Sequence, residues 1–331
     1  MKYVLILLLC LPAWVEAMEI GHDREIDAFI SSMVEKHGFE RGRLEAVFEA
    51  VRHDDAVIRL IAPRPKETRK DWKSYRARFV NPLRINRGVE YWERNQAALE
   101  KAGRRFAVPP EIIVAIIGIE TFYGRNTGKF RVMDALSTLA FDYPDAPNRQ
   151  ERMAFFRSEL ENALVLARNS GIDPLSLYGS YAGAIGLPQF MPGSILKYGV
   201  DFDGDGKIDL LNSAPDAIGS IAHFLAMHGW KSGAPLVYPA SVRSDRWTSF
   251  SGGLSARYSL KKLEAAGIFP KNKTPGLNFG LVDLQNERLP PQYWLATVNF
   301  FAIAQYNRSY YYAMSVVELS RAVKKARAHL Q

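Results

Sequence analysis

Cysteine is nearly absent: Cys10 is the only one in 331 residues, and it lies in an apolar N-terminal segment. Loss of that segment leaves no thiol, which excludes disulfides, thiolate zinc sites and a cysteine nucleophile together. Histidine is scarce as well. The six residues form no metalloprotease helix motif, and His223 and His228, five apart, are expected on different faces of their helix. Long apolar runs are confined to the first residues, MKYVLILLLCLPAWVEA, where one Lys precedes a short apolar core that ends in Val15-Glu16-Ala17. This is the pattern of a secretory signal cleaved after Ala17. Pro12 and Glu16 leave it short of the ~18 apolar residues of a spanning helix. Cys10 follows Leu9, where lipidation would require a small residue, so no acyl anchor is expected. Repeats and low-complexity tracts are also missing, and the length suits two or three sub-domains.

Positive charge, by contrast, is in excess. The net charge is +8, and removing residues 1–17 takes away one Lys and one Glu and leaves it unchanged. Such a balance favours an anionic partner. Export, and the lack of a basic segment interleaved with aromatics, argue against nucleic acid.

Helical periodicity dominates. EIDAFISSMVEKHGF spaces Ile26, Phe29, Ile30 and Met33 at helical intervals and stops at Gly38. RGRLEAVFEAVRH starts a second helix and NRGVEYWERNQAALEKAGRRF reads as one amphipathic helix. Between them, APRPKETRKDWKSYRARFV reads as a charged surface crossing anchored by Trp72 and Tyr75. From 231 to 292, Pro, Gly, Ser and pieces such as APLVYPASV and NFGLVDL indicate a small strand-containing insertion. The expected class is mainly α. Residues 18–100 with 313–331 form a helical sub-domain, 101–230 with 293–312 a core, and 231–292 a small β sub-domain.

One carboxylate stands out. EIIVAIIGIETFYG carries eight apolar residues in a row and then Glu120. Arg125 is near enough in sequence to neutralise it. Without a partner, the helix dipole at this C-terminal end and the apolar surroundings both favour the protonated form. A carboxyl held protonated near neutral pH is what a general acid needs to cleave a glycosidic bond.

VDFDGDGKIDL places Asp201, Asp203, Asp205 and Gly206 as in the start of an EF-hand loop, with the Lys207 carbonyl at the seventh position. Asp209 could contribute through water. Asn212 replaces the bidentate Glu of the twelfth position. Asp216 either closes the shell or is the acidic partner of Ser213 in a helix cap. The expected cofactor is a structural Ca²⁺, with no organic cofactor. The loop LYGSYAGAIGLPQFMPGS lacks the Gly-Lys-Ser/Thr ending of a phosphate cradle, and its glycines let backbone approach a helix or a ligand. Ser194 to Lys197 and Ser259 to Lys262 match Ser-x-x-Lys, but no Lys-Thr-Gly accompanies them: Lys273-Thr274 is followed by Pro275. AQYNRSYYYAMSV gathers tyrosines and Asn307, which suit sugar rings or the packing of sub-domains.

Together PPEIIVAIIGIETFYGRNTGKFRVMDALSTLAFDYP, GSYAGAIGLPQFMPGS, DFDGDGKIDLLNSAPDAIGSIAHFLAMHGW and AQYNRSYYYAMSV resemble the lytic murein transglycosylase B family, over most of the chain from Trp72 onward. The resemblance implies a lysozyme-like helical core with an EF-hand-like calcium loop. It also implies cleavage of the β-1,4 bond between N-acetylmuramic acid and N-acetylglucosamine in peptidoglycan, leaving 1,6-anhydro ends. It assigns Glu120 as the acid that then acts as base, Ser180 and Gln189 as lining the site, and Tyr75, Phe190, Tyr306 and Asn307 as the substrate groove. A hydrolytic muramidase and a non-catalytic peptidoglycan-binding scaffold are the alternatives. The expected setting is a soluble periplasmic monomer that meets glycan strands, with cell-wall synthases as potential partners.

Overall fold

The structure is a computed structural model and describes residues 16–62 and 71–329; the expected signal segment lies outside these but for its last two residues. The chain divides into two compact units, Met1–Ala62 with Arg131–Leu177 and Pro63–Phe130 with Tyr178–Gln331.

The first unit is helical: α1 (Glu16–His37), α2 (Arg41–Ala50), α3 (Asp55–Ile61), α8 (Val132–Phe141) and α9 (Arg149–Ser170). Gly38 ends α1 at φ +64°, as its sequence suggests. Met153, Phe156, Leu160, Ala163, Leu164 and Ala167 recur at helical spacing along α9 and are buried. They pack on α8, whose residues are almost all buried, while Phe29 of α1 meets Phe141 edge-on. Residues 131–177 thus cluster with the N-terminal helices, within the span 101–230 that the sequence reading assigns to the core.

The second unit holds α4 (Trp72–Phe79), α5 (Pro82–Arg94), α6 (Gln96–Phe106), α7 (Pro110–Thr121), α10 (Pro192–Tyr198), α11 (Ala214–Met227), α12 (Leu260–Ala265), α13 (Val298–Asn307) and α14 (Tyr310–Ala328). The two-residue strands β1 (Phe130–Arg131) and β2 (Tyr178–Gly179) mark where the chain leaves the unit and returns. Pro110 opens α7 at the first helical position, where its missing N–H costs nothing. Nine of the twelve α7 residues are buried, so no face is left for solvent; α5, α6, α11 and α14 surround it. The segment expected as one helix is two. Asn95 breaks it, donating from its side-chain amide to the Tyr91 carbonyl at 2.8 Å in competition with the helix ladder. The expected surface crossing ends in α4, capped by the Asp71 carboxylate on Ser74 N–H at 3.0 Å, and Trp72 is buried.

The β sub-domain is one antiparallel sheet in the order β4 (Tyr258–Ser259), β6 (Asn278–Leu284), β7 (Gln292–Ala296), β3 (Val237–Val242), β5 (Ile268–Pro270). Leu281 pairs with Leu295 and Tyr238 with Leu295 on the other side. Ala240, Leu263, Ile268, Phe279, Leu281 and Leu295 form its core. The sheet outlasts the boundary read from sequence, since β7 runs through Ala296 before Thr297 caps α13. Its edge also fixes α4: Trp72 N–H donates to the Gln285 carbonyl at 2.8 Å.

Candidate active site

Glu120 sits one residue from the end of α7, and the chain beyond it takes an unusual path. Phe122, Tyr123 and Gly124 have φ of +51°, +61° and +87°. Two bulky side chains in the left-handed region are strained and persist only where surroundings hold them. Here Tyr123 Oη donates to the Arg84 carbonyl at 2.9 Å, and Tyr123 N–H to the Ile117 carbonyl at 3.3 Å. The ring crosses Gly118 so closely that a Cβ there would lie 2.6 Å from it. Thr121 completes the clamp: its hydroxyl accepts from Gly124 N–H at 3.0 Å and lies 3.3 Å from the Leu187 carbonyl of the glycine loop. The ETFYG stretch thus sets where the Glu120 carboxyl stands.

That carboxyl is half-buried. Its partner is not Arg125, whose guanidinium lies over the Phe122 ring, 5.7 Å from its centroid, but Tyr312 of α14, whose hydroxyl donates to Oε1 at 2.6 Å. Burial pushes the Glu120 pKa up to about 7, and the Tyr312 hydrogen bond pulls it partly back. Among the described residues no cation and no second carboxylate enters that balance. Tyr312 was the residue missed: in sequence it is one of three consecutive tyrosines, and only helical phase on α14 selects it.

The other expected residues lie in the same unit. Tyr306 stacks on Tyr312 with ring centroids 6.0 Å apart and donates from Oη to the Pro188 carbonyl at 2.6 Å. Burial and then Glu120 raise its pKa well above the usual tyrosine value, so it stays a neutral phenol. Tyr75 is held by Trp72, Phe79 and Tyr311 with Arg78 over its ring at 4.4 Å, and it also feels the Glu120 charge. Ser180 Oγ accepts from Ala184 N–H at 3.0 Å and Ala182 N–H at 3.3 Å, shaping the glycine loop while keeping a proton to donate. Gln189, at φ +51°, anchors its amide on the Thr127 and Gly186 carbonyls at 3.0 and 2.9 Å. Phe190 is buried and packs against Tyr306, 5.6 Å between centroids, so it backs that ring and does not reach the surface. Asn307 is exposed at the end of α13. The loop's glycines serve close approach: a Cβ on Gly186 would fall 2.3 Å from the Leu210 carbonyl.

Leu210 belongs to the acidic loop, and Leu187 N–H donates to its carbonyl at 2.8 Å. In that loop the oxygens of Asp201, Asp203 and Asp205 lie within 4.8 Å of one another. No Lys, Arg or His pairs with them among the described residues, so the donor set fits a hard cation. Asp209 and Asp216 lie outside this group of three. The Asp209 carboxylate accepts from Leu211 and Asn212 N–H, and buried Asp216 accepts from Phe202 N–H at 2.7 Å and Asp209 N–H at 2.9 Å. Asp216 is the residue that Ser213 caps, its N–H donating to the Ser213 hydroxyl at 3.2 Å, and its carboxylate also fastens the two ends of the loop to α11. His223 and His228 converge on Tyr198, on its carbonyl at 3.1 Å and its hydroxyl at 3.4 Å, instead of facing apart. Ser259 caps α12, accepting from Lys262 N–H at 3.4 Å, and is no nucleophile.

A carboxyl whose protonated form is favoured by burial, in a helical core beside tyrosines and a glycine loop, defines a lysozyme-like enzyme acting on a glycan. The chain belongs to the family described as the transglycosylase SLT domain, which matches residues 21–321. It is 40% identical over 317 residues to the membrane-bound lytic murein transglycosylase B of Escherichia coli strain K12, covering 93% of this chain and 85% of that protein. It is similar to the lytic transglycosylase Slt35 of Escherichia coli in complex with calcium, at 39% identity and TM-score 0.81 over 92% of this chain and 93% of that one. It also resembles SltB3 of Pseudomonas aeruginosa in complex with NAG-anhNAM-pentapeptide, at 29% identity and TM-score 0.77, covering 92% and 80%.

Proposed function

We propose that this chain is a peptidoglycan lytic transglycosylase with Glu120 as its sole acid and base. Protonated Glu120 donates to the glycosidic oxygen leaving C1 of N-acetylmuramic acid, and N-acetylglucosamine departs as an alcohol. The resulting carboxylate takes the proton of the sugar's own C6 hydroxyl as that oxygen bonds to C1, closing the 1,6-anhydro ring. One C–O bond breaks, one forms, and no water is consumed. The observation that supports this is the balance around Glu120: burial and a tyrosine set its pKa, and no second carboxylate takes part. A nucleophile already in the substrate needs no second base to activate water.

Tyr75, Tyr306, Ser180, Gln189 and Asn307 line the groove, with Phe190 beneath. Asp201, Asp203 and Asp205, with the Lys207 carbonyl, would hold a calcium ion whose contribution is structural: it draws together three like charges that otherwise repel. The protein works in the periplasm after export; among the described residues no helix is long and apolar enough to cross a membrane.

The test is mass spectrometry of purified peptidoglycan digested by the chain from Met18 onward, beside Glu120→Gln. Anhydro-muropeptides from the wild type alone are the expected result. Reducing ends would make it a hydrolytic muramidase. No product from folded, calcium-loaded protein would leave a peptidoglycan-binding scaffold.

A further inference from the structure

A pocket of about 550 Å³ opens beside Tyr75, in the size range of small-ligand sites. Tyr75, Asp283, Gln285, Arg308, Tyr310 and Tyr311 line it. Its acidic group is Asp283, near the end of β6 and half-buried. Asp283 accepts from the Ser251 hydroxyl at 2.5 Å and the Gln285 amide at 3.0 Å, both neutral donors. Among the described residues no Lys, Arg or His nitrogen lies within 4.0 Å of it. It is close enough to raise the pKa of both Tyr310 and Tyr311, so its field reaches across the pocket. The tyrosine hydroxyls are committed elsewhere: Tyr310 to the Gly253 carbonyl at 2.5 Å and Tyr311 to the Gln285 carbonyl at 2.7 Å. They present aromatic walls, and the carboxylate is left as the specific polar feature. On the rim, exposed Arg308 makes no ion pair among the described residues. Such a site suits a flexible ligand with a cationic end and an anionic end, and aromatic faces add to the attraction for an ammonium.

Tyr75 lines this pocket, its ring meets that of Tyr311 edge-on, and the next residue, Tyr312, holds Glu120, so on the proposed reaction a ligand here adjoins the scissile bond. We infer that the pocket receives the peptide carried by muramic acid, with a free amino group of that peptide against Asp283 and a carboxylate toward Arg308. The inference rests on the peptidoglycan reading above, since a peptide beside the cleaved bond follows from that substrate. It adds a preference: strands whose peptides keep a free side-chain amine are better substrates than strands whose amine is blocked.

The experiment compares three glycan substrates: strands with peptides bearing a free side-chain amine, the same strands after N-acetylation, and strands stripped of peptide by an amidase. For the wild type, KM for the free-amine strands is expected to be about tenfold lower than for the other two, with kcat alike, the size of one charge-assisted contact. Asp283→Asn should bring all three to the higher KM and leave kcat on stripped strands unchanged. Equal KM values for the wild type, or a preference that survives in Asp283→Asn, overturn the inference. The acetylation arm needs no variant, so misfolding of Asp283→Asn cannot shield it. Absence of anhydro ends from all three substrates would sink the underlying reaction instead, while anhydro ends with equal KM sink the pocket alone.

Discussion

Glu120 is placed where its charged form is disfavoured, and the cost has a definite sign. Its pKa is pushed from 4.5 to about 7 by burial. Folded protein therefore holds a proton that unfolded chain releases between pH 4.5 and 7, so stability falls as pH rises through that window. The full effect is roughly 3 kcal/mol from the size of the shift. Glu120→Gln removes the titration and keeps an acceptor for Tyr312. It should match wild type in thermal unfolding at pH 4 and exceed it at pH 8; equal stabilities at pH 8 would mean that burial does not set this group. Activity follows the same group. With Glu120 as the proposed general acid, kcat/KM should fall above pH about 7. Tyr312→Phe removes the bond that lowers the Glu120 pKa, so that falling limb should move to higher pH while the rate at its plateau drops. A limb that stays in place would leave Tyr312 a packing residue only.

At the scale of elements, what the sequence shows directly is what a few neighbouring residues decide. Pro110 starting α7, Gly38 ending α1 and the alternating acids of the calcium-type loop are local chemistry, and each is where the pattern puts it. What was not legible depends on partners far along the chain. Tyr312 reaches Glu120 across 192 positions, and α4 takes its place from the Gln285 carbonyl. Periodicity cannot tell which of two apolar helical groups α8 and α9 will join, because both offer a greasy surface. Asp216 shows the same limit: the sequence offers it as a metal ligand or as the cap partner of Ser213, and besides meeting the Ser213 cap it is a buried acceptor for three backbone N–H groups, of Phe202, Asp203 and Asp209. This separates two predictions. Calcium should raise the unfolding temperature of the wild type in proportion to its binding, and Asp203→Asn should abolish that gain with little change in its absence. Asp216→Ala should instead cost about 3 kcal/mol with or without calcium, because buried donors lose a charged acceptor. A calcium-dependent cost for Asp216→Ala in urea unfolding would return that residue to the metal shell. The loop also bears on the site, since Leu210 bonds Leu187 and the Leu187 carbonyl contacts Thr121 beside Glu120.

For the whole molecule, the informative quantity is the +8 net charge, which neither the fold nor the chemistry at Glu120 requires. A basic surface raises the local concentration of an anionic polymer and speeds encounter, and salt weakens both effects because the screening length shrinks to about 8 Å at physiological ionic strength. The proposed proton donor, Glu120, is sheltered from salt, half-buried and hydrogen-bonded to a buried tyrosine. Substrate capture and bond cleavage should therefore separate. Raising sodium chloride from 20 to 300 mM (chosen conditions, on the order of a fourfold change in screening length) should increase KM for intact sacculi several-fold and leave kcat nearly constant. A neutral soluble glycan fragment should show neither effect, because it carries no charge to be steered. If kcat falls with salt while KM holds, the charge acts on the catalytic groups, and the separation of a basic capturing surface from a sheltered acid is wrong.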